Sequence, residues 1–123
     1  MKKLLCILLF LPLKIMAQDI ASDSIFVDLS NPRATLNTHL NFLQDDNYQP
    51  KKSAKTIKGV EQKKAVRKAI KIKQVLDGKG LYIDLNSIST DEDYKDSVGI
   101  NAYSRYIIFP NRLPEIYLEK KGN

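Results

Sequence analysis

Apolar residues recur at helical spacing through the first two thirds of the chain and alternate with polar ones over the last third. Ser30-Asn31-Pro32 reads as a helix start. Asn31 is suited to cap it, and Pro32 falls at the first helical position, where a missing N–H costs nothing. Leu36, Leu40 and Leu43 then lie on one stripe with Phe42 at its edge, which predicts a helix to about Gln44. Asp45-Asp46-Asn47 ends it. Pro50 opens a second, shorter helix that turns Ala54 and Ile57 inward and is closed by Gly59. Glu61 to Asp77 has the strongest helical pattern. At about 100° per residue, Ala65, Val66, Ala69, Ile70, Ile72, Val75 and Leu76 cover more than half the circumference, and Lys63, Lys64, Arg67, Lys68 and Lys71 gather opposite them. Lys73 falls inside the apolar arc, where it must reach outward or find a partner.

The period changes at Val75-Leu76-Asp77-Gly78-Lys79-Gly80-Leu81-Tyr82-Ile83-Asp84. Gly78 and Gly80 supply the backbone freedom for a helix to stop and a strand to begin within a few residues. Leu81, Ile83 and Leu85 alternate with Tyr82 and Asp84 as in a half-buried strand, and Asn86 to Gly99 is a polar, acidic loop. Tyr103 to Phe109 reads as a strand covered on both faces. Pro110 to Pro114 is a five-residue connection, and Glu115 to Lys120 returns with Ile116 and Leu118 inward. So short a link makes the pair antiparallel. Ile25 to Leu29 adds a short strand or pins the lead to the core. Together these elements predict an α+β domain with two to three N-terminal helices packed on a small antiparallel sheet of about three strands.

The first 17 residues stand apart from this pattern. Lys2 and Lys3 precede an apolar run from Leu4 to Leu13, and Ile15-Met16-Ala17 places a small residue before a cleavage point ahead of Gln18. That is a secretory signal, too short to span a bilayer stably. The expected organisation is a signal peptide over 1–17, a flexible lead over 18–30, and an extracytoplasmic domain over 31–123 whose C-terminal hairpin is incomplete. Cys6 is the only cysteine and goes with the signal, so the remainder has neither a disulfide framework nor a thiolate metal site. Loss of Lys2, Lys3 and Lys14 leaves 17 basic residues against 14 acidic, a mild net charge of about +3.

Candidate chemistry is sparse, and the reading is that of a protein without a catalytic set, metal site or cofactor. His39, the only histidine, borders the apolar stripe and reads as a structural imidazole. No serine or cysteine motif supplies it a nucleophile, and no second histidine shares a metal with it. Asp91-Glu92-Asp93-Tyr94-Lys95-Asp96 invites a calcium reading. An EF-hand loop, however, would want a ligand where Lys95 stands, glycine at Asp96 and glutamate at Ala102. Gly78-Lys79-Gly80 lacks the spacing of a phosphate-binding loop and is a turn. The informative feature is charge: from Lys51 to Lys73 there are ten basic residues and one acid, Glu61. The plainer reading is a solvated helix face. The sharper one is contact with an anionic surface, either lipid head groups or an acidic partner, through Lys64, Arg67, Lys68 and Lys71. Nucleic acid fits poorly, because the export signal argues against it and no aromatic residues interleave with the lysines to stack on bases.

Three stretches carry a family resemblance: DLSNPRATLNTHLNFLQ from Asp28 to Gln44, KQVLDGKGLYID from Lys73 to Asp84, and RYIIFPNRLPEIYLEK from Arg105 to Lys120. In this order they resemble the exported N-terminal region of certain MscS-like, small-conductance mechanosensitive ion channel proteins. The resemblance implies the first, extracytoplasmic domain of a channel that releases solutes when bilayer tension rises, held at the periplasmic face of the inner membrane. It also implies, as partners, the rest of the channel chain and a homoheptamer. The pore-lining helix and the cytoplasmic vestibule have no counterpart in the three stretches, so no gating or conducting residue carries over. The alternative is a free-standing secreted or periplasmic binding module.

Overall fold

A computed structural model describes residues 26–95 and 105–121. The proposed signal over 1–17, residues 96–99 of the acidic loop, Tyr103 and the Gly122-Asn123 end lie outside them. The described residues form an α+β arrangement of three helices and a two-stranded antiparallel sheet.

Helix α1 spans Pro32–Asn41 and begins as its cap residues dictate: Asn31 is extended, and its side-chain oxygen accepts from Ala34 N at 2.9 Å. The helix stops three residues short of Gln44, tightening through Leu43 N to Leu40 O and Gln44 N to Asn41 O into a 3-10 turn, Asp45–Asn47. This early stop moves Phe42 from the edge of the stripe to the best-buried large side chain among the described residues, 1% exposed. Burying an aromatic ring so fully contributes about 2–3 kcal/mol. Short helix α2, Pro50–Ser53, runs into a 3-10 turn, Ala54–Thr56, and this pair contacts both α1 and the long helix α3, Gln62–Gly78. Ala65, Ala69 and Leu76 form the buried line of α3, as its periodicity predicts.

At the end of α3 only one of the two candidate glycines acts as the hinge. Gly78 stays helical, whereas Gly80 takes φ +63°. Gly80 N donates to Asp77 O at 3.1 Å and Leu81 N to Leu76 O at 2.9 Å, the paired bonds of a Schellman cap. Leu76 and Leu81 meet in the core, the apolar contact that accompanies such a cap.

The strand expected over Leu81–Leu85 is absent. Leu81 and Ile83 are buried and Tyr82 is 87% exposed, so the alternation is obeyed. Among the described residues, however, Tyr82 and Ile83 make no backbone hydrogen bond, and a 3-10 turn, Leu85–Ser87, follows at once. Among the described residues the sheet therefore has two strands instead of about three. No strand forms over Phe26–Leu29 either. That segment is pinned by Thr38, whose hydroxyl accepts from Asp28 N at 3.0 Å and donates to Asp28 O at 2.9 Å.

Strands β1, Arg105–Phe109, and β2, Leu113–Glu119, pair antiparallel with Tyr106 opposite Leu118 and Phe109 opposite Leu113. The link is three residues, Pro110 to Arg112, and not five, because β2 begins at Leu113. The register shifts between Ile107 and Phe109, and Pro114 lies in this irregular stretch, where a residue without an N–H is tolerated. The shift also lets both Ile108 and Phe109 pack toward Leu36, Leu76, Leu81, Ile83, Ile88 and Leu113, the cluster that joins helices to hairpin. Arg33 reinforces that junction from α1. Its Nε donates to Ile88 O and its Nη2 to Asn86 O, both at 3.0 Å, while its backbone N donates to Ser89 O.

Candidate functional site

The charged face of α3 follows directly from helix geometry. Its buried line of Ala65, Ala69 and Leu76 fixes the opposite side toward solvent, and Lys63, Lys64, Arg67, Lys68 and Lys71 occupy an arc of about 140° there. All five are exposed. No acid shares the arc, and among the described residues none of the five enters an ion pair. Three like-charged pairs fall at i,i+4 (63/67, 64/68, 67/71) and two at i,i+3 (64/67, 68/71), each disfavouring the helix by about 0.2–0.5 kcal/mol before salt screening. Lys73, set within the apolar arc, behaves differently. It reaches outward to Asp77 Oδ2 at 2.6 Å, the partner its position demands.

His39 lies elsewhere, 4% exposed in the angle between α1 and α2. Ser53 Oγ, fully buried, lies 3.2 Å from His39 Nδ1, and Thr56 Oγ1 lies 3.3 Å from it. Both hydroxyl hydrogens are already committed: Ser53 donates to His39 O at 2.9 Å and Thr56 to Ser53 O at 2.8 Å. The imidazole hydrogen therefore sits on Nδ1 and is donated to these oxygens. Nε2 keeps a bare lone pair, buried and without a partner among the described residues. Burial, with a smaller contribution from the Lys73 charge, pushes the His39 pKa down to about 4. A ring that donates to Ser53 cannot also withdraw its proton, so this pair is a structural cross-brace between α1 and α2. The chain spacing from His39 to Ser53 gave no hint of it.

Two grooves flank the helices. One, about 360 Å³, runs between the start of α1 and the hairpin, past Thr35, Tyr94, Arg105, Tyr106 and Tyr117. Tyr94 meets Tyr106 edge-on with centroids 4.9 Å apart, and the Arg105 guanidinium lies 4.2 Å over the Tyr117 ring. The charges around it are mixed, Lys58 and Lys121 against Asp91 and Glu92. The other groove, about 280 Å³, follows Leu40, Asn41, Lys73, Leu81 and Tyr82. His39 lines neither. The acidic stretch from Asp91 is held as a solvated loop: Asp91 Oδ1 accepts from Asp93 N, and Asp93 pairs with Lys120 at 2.6 Å. That ammonium keeps the Asp93 carboxyl below the usual range. Among the described residues no group of three His, Cys, Asp or Glu side chains is placed to hold a metal ion.

The structure thus brings Lys64, Arg67, Lys68 and Lys71 together on one exposed surface. It sets the residues that sequence reasoning overlooked, Ser53, Thr56 and Arg33, in bracing roles. Comparison with protein-family models, curated proteins and solved structures finds no match to this chain.

Proposed function

We propose that this chain is the extracytoplasmic N-terminal domain of an MscS-like mechanosensitive ion channel, acting by contact and not by catalysis. The three stretches named above support the family assignment. The exposed, acid-free arc of Lys64, Arg67, Lys68 and Lys71 on α3 is the observation that carries the contact role. An export signal delivers the domain to the periplasmic face of the inner membrane, where it stands beside the pore of its own chain and the matching domains of a homo-oligomer. Conduction belongs to membrane helices, and no helix among the described residues is long and apolar enough to be one.

The native coding frame after Asn123 tests this reading. Several long apolar spans are the expected result. A native stop codon there would overturn the channel assignment and leave a free-standing exported binding module.

A further inference from the structure

We infer that the basic face of α3 is a docking surface for anionic lipid head groups. The inference rests on the reading that places this domain beside a bilayer, and it names what the α3 face touches there.

The charge is strongly partitioned. Residues 51–73 carry ten cations and one anion, a net +9, while the remaining described residues carry seven cations and ten anions, a net −3. Five cations project from the solvent arc of α3 within about 12 Å of axis. The segment packed against α3 carries three further exposed cations outside this arc, Lys51, Lys52 and Lys55. Lys52 is partly occupied, with its ammonium 5.0 Å from the centre of the Phe42 ring. An anionic plane would relieve the mutual repulsion of the five α3 cations, which enter no ion pair among the described residues.

Lipid is favoured over an acidic protein by the kind of residue present. Four of the five α3 cations are lysines, compact and strongly hydrated point charges without a fixed fork. The solvent arc has no aromatic or methionine, and both grooves lie elsewhere. Protein interfaces are depleted in lysine and anchored by aromatic and arginine side chains set in pockets. A lysine-rich helix face that lines neither groove suits a fluid layer of phosphate groups, where attraction accumulates per charge and direction matters little.

Vesicle co-sedimentation of the whole chain tests the proposal, using phosphatidylglycerol–phosphatidylcholine vesicles against pure phosphatidylcholine. Any apolar contribution from residues 1–17 is common to all variants and cancels in the comparison. Each cation near the surface is worth about fivefold in affinity. The triple reversal K64E/R67E/K68E should therefore weaken binding to anionic vesicles about a hundredfold or more, and leave neutral vesicles unaffected. Binding by the unaltered chain should also fall between about 0.1 M and about 1 M salt, as the screening length drops from about 10 to about 3 Å. The control K95E/R112E/K121E makes the same change of net charge at exposed sites outside α3, and should lose much less. K64Q/R67Q/K68Q, with unchanged far-ultraviolet circular dichroism, should fall between the unaltered chain and the reversal.

Equal losses in the face and control variants would overturn the proposal, because only net charge would then matter. So would unchanged binding by the face variant, or a face-dependent affinity for a soluble acidic protein with none for vesicles. These results leave the channel reading standing, since the coding frame decides that separately. Equally, a native stop codon would remove the channel and leave the vesicle result to stand or fall by itself.

Discussion

Lowering the pH from about 7.5 to about 5 places a calculable stress on His39, and the stress follows from the hydrogen-bond geometry. In the folded chain the ring is neutral, gives its Nδ1 hydrogen to Ser53 and Thr56, and buries a bare Nε2. A proton added at Nε2 becomes a buried donor with no acceptor among the described residues, close enough to Lys73 to feel its charge. The unfolded chain accepts that proton at the ordinary histidine pKa of about 6.5 and the folded chain only near 4. A depressed folded value means the stabilising contribution is complete above about pH 6.5 and disappears as the pH falls through about 4. Linkage then gives a loss of about 2 kcal/mol at pH 5 and about 3 kcal/mol at pH 4, a large part of the 5–15 kcal/mol typical of a domain. Urea midpoints followed by circular dichroism read this directly. His39→Asn is the comparison, because its amide nitrogen keeps a donor near the Nδ1 position but cannot titrate in this range. The variant is expected to start less stable and then lose less than about 0.5 kcal/mol between pH 7 and 5. Parallel slopes for the two chains would refute this assignment of the buried proton.

Three further outcomes are expected. Arg33→Met should cost about 2 kcal/mol in urea unfolding, since the carbonyls of Ile88 and Asn86 lose a charged donor. A cost below about 0.5 kcal/mol would mean the clamp contributes nothing. The two glycines should respond with opposite signs. Gly78→Ala should stabilise by about 0.5–1 kcal/mol, being helical with open space at its Cβ, whereas Gly80→Ala should cost about 1–2 kcal/mol for its positive φ. Melting temperatures moving in the same direction would contradict the cap geometry. Ala69→Leu should cost about 1–3 kcal/mol by overpacking a fully buried position, while Tyr82→Ser should stay within about 0.5 kcal/mol despite removing a large apolar residue.

Much of the fold was legible where one residue type does one local job. Asn31-Pro32 marked a helix start, and the spacing of Ala65, Ala69 and Leu76 marked the buried side of α3 and hence its basic side. What the pattern could not supply was long-range partnership. Alternation at Leu81, Tyr82 and Ile83 correctly separates inward from outward residues, yet a strand also needs a neighbouring backbone, and alternation carries no information about one. Phe42 was misjudged because α1 ends at Asn41, after which the helical angle no longer predicts direction. The His39 brace depends on α2 folding back across α1, so Ser53 and Thr56 carry no signal near His39 in the chain. The basic face, by contrast, was readable in advance because solvent-facing charge on a single helix requires no partner to define it.

Suction applied to membrane patches, after expression of the native gene in cells without tension-gated channels of their own, probes the proposed role most directly. Stepwise currents that open with suction, and vanish when the gene is omitted, are the predicted result. A product that reaches the membrane and yields no tension-activated current would contradict it.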